Sequence, residues 1–358
     1  MFEDIPVSTQ MGVWGFIIGI ALGFVIHRTN FCAMGAVSDI VSFSDWRRMR
    51  AWMLAMAVAI LGSQLLYIGG FVHLENSIYL RPTLSLTGLV IGGFIFGFGM
   101  VLGGGCPGRN LMRVGNGDLK ALMVLFFIGW AGYMTMRGIL YYPQAWIRDL
   151  LVIRLGEMGF ENQGIACLIG KPTGMCSQAL RLVVALAVSG LLALFAFRDA
   201  GFRRSPRHVT AGVALGLLVT LAWFATGYMG ADEFEPAQVT ALTFIAPTGD
   251  AFQYLMTWTG ATINFGIATV GGVILGSFIS SKMTKTFHLS TFVDTPDTVR
   301  NLAGGILMGF GGILALGCTF GQGITGMSTL ALGSIIATLS IIAGGVLGVK
   351  YMERVLDI

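Results

Sequence analysis

A series of nine apolar stretches, each close to the length of a bilayer crossing, constrains this chain more than any other feature of its sequence. They lie near residues 12–27, 51–72, 84–103, 121–141, 180–197, 209–228, 262–281, 302–317 and 332–350. A helix needs roughly 20 predominantly apolar residues to cross the hydrocarbon core, where every backbone polar group has to find a partner inside the protein. The chain is 11% charged and 55% hydrophobic, against roughly 25% charged in soluble domains. The expected fold class is therefore an all-α polytopic membrane protein in contact with lipid, a single membrane domain over 1–358. The 52 glycines do not signal disorder in so apolar a chain. Small residues let apolar helices approach closely.

Four shorter apolar stretches, 29–43, 104–117, 236–257 and 318–331, are bounded by Gly, Pro, Asn or Thr. They are too short to cross and read as re-entrant half helices. Cationic residues orient the spans, since Lys and Arg accumulate on the cytoplasmic side. With the N-terminus outside, the inner segments hold 16 of the 22 Lys and Arg. The other six are Arg81, Arg137, Arg148, Arg154, Lys171 and Arg181, five of them within 137–181. That segment contains Tyr141, Tyr142 and Trp146 and is expected to include an interfacial helix. The predicted location is the bacterial inner membrane, with a periplasmic N-terminus and a cytoplasmic C-terminus. Residues 1–10 hold Glu3 and Asp4 but no cation, unlike a signal peptide, so the first span is expected to be retained. The net charge of +4 is absorbed by this loop pattern and implies no nucleic-acid partner.

The sequence repeats at an offset of about 212–214. Gly92-Gly93-Phe94-Ile95-Phe96-Gly97-Phe98-Gly99 matches Gly304-Gly305-Ile306-Leu307-Met308-Gly309-Phe310-Gly311, and each copy then runs nine residues from its last but one Gly (Gly97, Gly309) to Cys106 or Cys318. Ile60-Leu61-Gly62-Ser63 likewise matches Ile274-Leu275-Gly276-Ser277. The expected organisation is a first repeat over 12–141, a connecting loop and odd span over 142–208, and a second repeat over 209–350. Four spans, one odd span and four more give the halves opposite orientations, the inverted-repeat plan of many secondary transporters, with a site near the midplane.

The two cysteines of the repeat sit at predicted helix breaks. Gly103-Gly104-Gly105 disfavours helix by about 1 kcal/mol per residue relative to Ala. Pro107 removes a donor and pushes Cys106 out of the helical region. Gly317-Cys318-Thr319-Phe320-Gly321-Gln322-Gly323 is the counterpart. Broken backbone at membrane depth must be buried in protein or line a wet cavity, and free N–H groups there can hold an anion. Cys32, in Thr29-Asn30-Phe31-Cys32, has Ile245 at the repeated position. The candidate substrate-binding set is thus Cys32, Cys106 and Cys318, with Gly105, Gly317, Asn30, Thr319 and Gln322 beside them. Neutral thiols donate weakly to sulfur and avoid the cost of a charge in lipid. The plain alternative is that buried cysteines simply pack.

Cys167 and Cys176, in the outer segment, permit a disulfide and equally two separate thiols. Arg109 and Arg113 suit either attraction of an anion or snorkelling. Asn264 reads as a polar group inside a span, and His27, Arg28, Arg47, Arg48 and Arg50 as interfacial anchors. There is no P-loop, zinc motif or catalytic triad, so no catalytic residue, metal or cofactor is expected.

Four segments carry a resemblance: His27 to Asp39, Gly97 to Cys106, Thr262 to Ser277 and Gly309 to Gly326. In these the chain resembles the bacterial YeeE/YedE family of sulfur-compound transporters. The resemblance implies nine spans plus re-entrant helices, pseudo-symmetric halves, a path lined by Cys32, Cys106 and Cys318, and cooperation with a small cytoplasmic sulfur carrier of the TusA type. The thiosulfate members run roughly Cys-Thr-Ser-Gly-His-Gly after the first repeated cysteine. Here the run is Cys106-Pro107-Gly108-Arg109-Asn110, and the family also includes members linked to selenium. The expected function is uptake of a small sulfur-containing anion, thiosulfate first. The alternatives are another sulfur or selenium species, a membrane sulfurtransferase or thiol-redox protein using Cys106 or Cys32 covalently, and a scaffold for the sulfur carrier.

Overall fold

The computed structural model describes residues 6–170, 178–231, 237–292 and 295–355. Its helices are α1 (Val7–Thr29), α2 (Ala33–Phe43), α3 (Arg47–Ile68), α4 (Leu86–Leu102), α5 (Pro107–Gly115), α6 (Leu119–Arg137), α7 (Tyr141–Asp149), α8 (Ile165–Gly170), α9 (Gln178–Phe197), α10 (Ala200–Arg203), α11 (Pro206–Phe224), α12 (Ile245–Met256), α13 (Phe265–Met283), α14 (Thr295–Leu314) and α15 (Leu332–Val355). Two short π-helical turns, Ala225–Met229 and Gly321–Gly326, complete the helical set.

Among the described residues, eight helical segments are long and apolar enough to cross a membrane. The protein is therefore a multi-pass membrane protein of all-α class. The ninth expected span, 302–317, falls on α14, which differs from the others in its start. Asp297, Arg300 and Asn301 occupy its first two turns, so its apolar part is shorter than a full crossing. The four expected half helices appear as α2, α5, α12 and the Gly321–Gly326 turn. The segment expected to include an interfacial helix contains α7, with Tyr142 and Trp146 exposed. One element had no signal in the sequence: β1 (Thr83–Ser85) pairs antiparallel with β2 (Val152–Arg154).

Packing follows a consistent scheme. α1 lies along α13 and α3 along α11; α4 lies along α15 and α6 along α14; α4 crosses α14. The half helices insert between them: α2 against α3 and α15, α12 against α13 and α6, α5 against α13 and the Gly321–Gly326 turn against α3. Exchanging α1–α6 for α11, α12, α13, α14, the Gly321–Gly326 turn and α15 returns the same set of pairings. At the α4–α14 crossing a Cβ on Gly92 would stand 2.7 Å from Gly311 O, and one on Gly311 2.7 Å from Gly92 O. Glycine is needed there because the backbones touch. α9 packs on the outside of α3, with Val183, Leu186, Leu191 and Leu194 exposed as a lipid-facing surface would be.

Candidate functional site

Both glycine-rich helices end in the same closure. Gly104 takes φ +68° and Leu316 φ +60°. Gly105 N donates to Met100 O at 3.0 Å, and Gly317 N to Gly312 O at 2.8 Å. This is the Schellman pattern, which satisfies helix-end carbonyls through a left-handed residue. The N–H groups of Gly105 and Gly317, expected as free donors for an anion, are therefore committed to closing α4 and α14. Both glycines frame the breaks and offer no donor.

The donors come from the helices that follow. Cys32 and Cys106 occupy the N-cap positions of α2 and α5 in extended conformation, and Pro107 fills the first position of α5, where its missing N–H costs nothing. Gly35 N donates to Cys32 Sγ at 3.2 Å, and Gly321 N to Cys318 Sγ at 3.4 Å. Cys106 faces Arg109 N in the same i+3 register, outside good capping geometry. Each thiol thus sits over the first turn of a half helix, where N–H groups lack intrahelical partners and the dipole favours negative charge. Cys318 Sγ is also approached by the amides of Phe244 and Phe320. All three thiols are free and buried, and Cys106 has both Cys32 and Cys318 as electrostatic neighbours.

Aromatic rings close around them. Phe320 lies edge-on to Phe31 at 5.9 Å and to Phe244 at 5.4 Å between centroids. A Cβ at Gly108 would come within 3.0 Å of the Phe320 ring. These rings thus bring the residues just before α2, α12 and the Gly321–Gly326 turn against the start of α5.

The remaining expected residues divide. Asn30, at φ +54°, uses Oδ1 to accept from Arg109 Nη1, so the pair ties α1 to α5. Arg113 binds Asp118 at 2.7 Å, Gly104 O at 3.3 Å and Asn110 Oδ1 at 3.2 Å, which makes it a brace of the first break. Asn264 lies at the N-cap of α13, not inside the span, and accepts from Ile267 N at 2.8 Å. Cys167 is engaged in a disulfide, and Cys176 lies outside the described residues.

Thr319 and Gln322 remain unsatisfied. Thr319 Oγ1 and Gln322 Oε1 are buried without a hydrogen-bond partner, as are Trp52 Nε1 and Tyr79 Oη. Thr319 faces the Cys106 thiol without reaching hydrogen-bond geometry. A Cβ on Gly321 would stand 3.4 Å from Tyr79 Oη, and one on Gly323 3.4 Å from Trp52 Nε1. Half of the eight such buried atoms among the described residues therefore surround one helix break. Each unmade bond of this kind costs about 1–3 kcal/mol, and three of the four atoms belong to N–H or O–H donors. Tyr79 and Trp52 were missed in the sequence because neither lies near a cysteine in the chain.

The chain matches the family model described as Sulphur transport over residues 28–347. It belongs to that family. Within the Sulphur transport family it is 30% identical over 322 residues to the thiosulfate transporter TsuA of Escherichia coli (strain K12), covering 87% of this chain and 86% of that protein. It is 27% identical over 336 residues to the thiosulfate transporter TsuA of Spirochaeta thermophila, covering 93% and 96%. The probable transporter YedE of Escherichia coli matches more locally, 30% over 105 residues, or 29% of this chain and 24% of that protein.

Proposed function

We propose that this protein takes up a small sulfur-containing anion, thiosulfate first, across the inner membrane. The observation that carries the reading is the coincidence at the second break. There a buried thiol over a half-helix start meets three unpaired donors, on Trp52, Tyr79 and Thr319. Donors of this kind suit the oxygens of an oxyanion, and the thiol suits a terminal sulfur. The names of the two full-length relatives support thiosulfate.

The anion enters from the periplasmic side, meets Cys318, and passes to Cys106 and Cys32 as the Phe31, Phe244 and Phe320 rings yield. The sets α1–α6 and α11–α15 are duplicated halves of opposite orientation; the pairing scheme that survives their exchange supports this. The cationic cytoplasmic loops support an outside N-terminus. A TusA-like carrier on the cytoplasmic face receives the product, as the family resemblance implies. Passage requires no covalent step: a sulfurtransferase needs an accessible thiolate and these sulfurs are buried.

Growth on thiosulfate as sole sulfur source, in a host lacking its own uptake systems, tests the reading. Wild-type protein supports growth, whereas Cys106→Ala and Cys318→Ala do not. Full growth of both variants would remove the thiols from the path.

A further inference from the structure

Asp250, in the second turn of half helix α12, is partly buried and lines a cavity of about 330 Å³. The walls come from α12, the loop before it, the start of α1 and the residues around the N-cap of α13. Every other partly buried carboxylate among the described residues has a partner. Asp39 pairs with Arg48, Asp45 with Arg47, Asp118 with Arg113 and Asp297 with Lys120. Asp199 caps α10, and Glu353 accepts from Ser42. Asp250 makes neither an ion pair nor a hydrogen bond among the described residues. An ionisable side chain held inside a membrane domain is costly and marks ion and proton pathways.

Charge around it is sparse. α12 packs on α6, α13 and α14. From α6, Arg137 is the electrostatic neighbour of Asp250, and its guanidinium lies over the Tyr133 ring, 5.9 Å from the centroid. Tyr133 itself flanks Gly249, and Tyr254 follows one turn on in α12. α13 meets α12 where Gly266 abuts Pro247, and α14 where Gly312 abuts Ile245. The charged side chains of those two helices, Lys282, Asp297 and Arg300, stand at their opposite ends. The same half helix reaches the thiol of the second break. Phe244, its N-cap, has its amide near Cys318 Sγ and its ring on Phe320 at 5.4 Å. Thr243 lines the cavity, and its Oγ1 would stand 2.7 Å from a Cβ on Gly321, whose N–H donates to Cys318 Sγ. A shift of α12 on gain or loss of charge at Asp250 therefore moves groups that touch the second break. The position matching Asp250 in the first half is Val37, buried beside Gly345, so the carboxylate belongs to one half alone.

An inside-negative potential of about 100 mV opposes entry of each negative charge by about 40-fold, and of a dianion by roughly 2000-fold. A proton carried with the anion removes one such factor of about 40. We infer that Asp250 is the proton site of a proton–anion symport. With the N-terminus outside, the carboxylate takes a proton from the periplasmic side while the anion occupies the second break. It releases that proton to the cytoplasmic side once the anion has passed to Cys106. The inference rests on the reading of the protein as a sulfur-anion transporter.

The test follows radiolabelled thiosulfate in proteoliposomes of the purified protein, with the potential clamped by valinomycin and potassium and a pH-sensitive dye inside. Wild type accumulates about 10-fold more thiosulfate for each pH unit of an acid-outside gradient, as one proton per anion requires. Thiosulfate added outside acidifies the lumen. Asp250→Asn loses both responses yet still exchanges internal for external labelled thiosulfate, which shows a folded protein that binds the anion. Asp250→Glu, which keeps the carboxyl, retains both responses. Wild-type accumulation indifferent to the gradient, or an Asn variant that responds as wild type does, overturns the proton site and leaves the transporter reading standing. Loss of exchange together with coupling in folded Asp250→Asn places Asp250 in the anion site and equally overturns the inference. Neither accumulation nor exchange by wild type overturns the transporter reading and this inference with it.

Discussion

At the first break Arg113 donates to Gly104 O and to Asn110 Oδ1, and Arg109 to Asn30. At the second break the positions 212 residues later are Thr325 and Gly321. Thr325 sends its hydroxyl to Leu242 O, and Gly321 has no side chain. The scaffold beneath is common to both. Asn110 N donates to Cys106 O at 3.0 Å and Gln322 N to Cys318 O at 2.7 Å. Each side-chain amide then reaches back seven residues, Asn110 Nδ2 to Gly103 O at 3.5 Å and Gln322 Nε2 to Ala315 O at 2.7 Å. What differs is the fate of the amide oxygen. With arginine present it is satisfied, and without arginine it stays open. One backbone plan therefore yields a braced break and an unbraced one, and two side chains decide which.

The largest test of this contrast places the same charge change on the two matched amides. Gln322→Glu sets a carboxylate in the proposed anion path and lowers thiosulfate uptake about 100-fold, as two like charges in a low-dielectric site repel strongly. Asn110→Asp meets Arg113 instead, and folded protein retains uptake within a few-fold. Equal loss in both variants, measured on monodisperse protein in liposomes, would erase the distinction.

Arg113→Gln comes next. It strands Asp118, Gly104 O and the Asn110 oxygen in a site where the two ionic side chains are 23% and 16% exposed. Breaking a partly buried pair costs about 2 kcal/mol here, below the value for full burial. Thermal unfolding in detergent should register that loss while the KM of the folded protein holds. A raised KM without loss of stability would make Arg113 part of the binding path.

The smallest effect separates the two left-handed residues. Gly104→Ala pays about 1 kcal/mol for φ +68° and also crowds Arg113, whose Nη1 would lie 2.9 Å from the new Cβ. Leu316→Gly relieves a similar backbone penalty but loses partial burial, so its stability stays near wild type. Equal destabilisation in the two would mean that the closures are not conformationally alike.

Much of the scaffold was legible because the bilayer imposes a simple rule on length and polarity. Expected spans such as 180–197 and 332–350 begin within about two residues of α9 and α15. Gly103-Gly104-Gly105 and Pro107 located the first break for reasons of backbone energetics alone. The cysteines were legible as candidates because the repeat aligned Cys106 with Cys318. Side-chain commitments were not. That Gly105 N–H would be spent on Met100 O depends on how α4 closes. The assignment of Arg113 to Gly104 and Asp118 depends on the turn after α5. Leu316 gave no hint of a positive φ, since leucine rarely adopts one. Tyr79 and Trp52 reach the second break only through tertiary packing, and β1 and β2 are too short for a periodic signal.

The most direct measurement is uptake of radiolabelled thiosulfate by the purified protein alone in proteoliposomes, with Cys32→Ala, Cys106→Ala and Cys318→Ala run beside wild type. Concentrative or exchange uptake by wild type, reduced at least about 10-fold in Cys106→Ala and Cys318→Ala with the protein still folded, is the expected result. Wild-type rates in both variants, or no uptake by the protein on its own, would contradict a path built on these thiols.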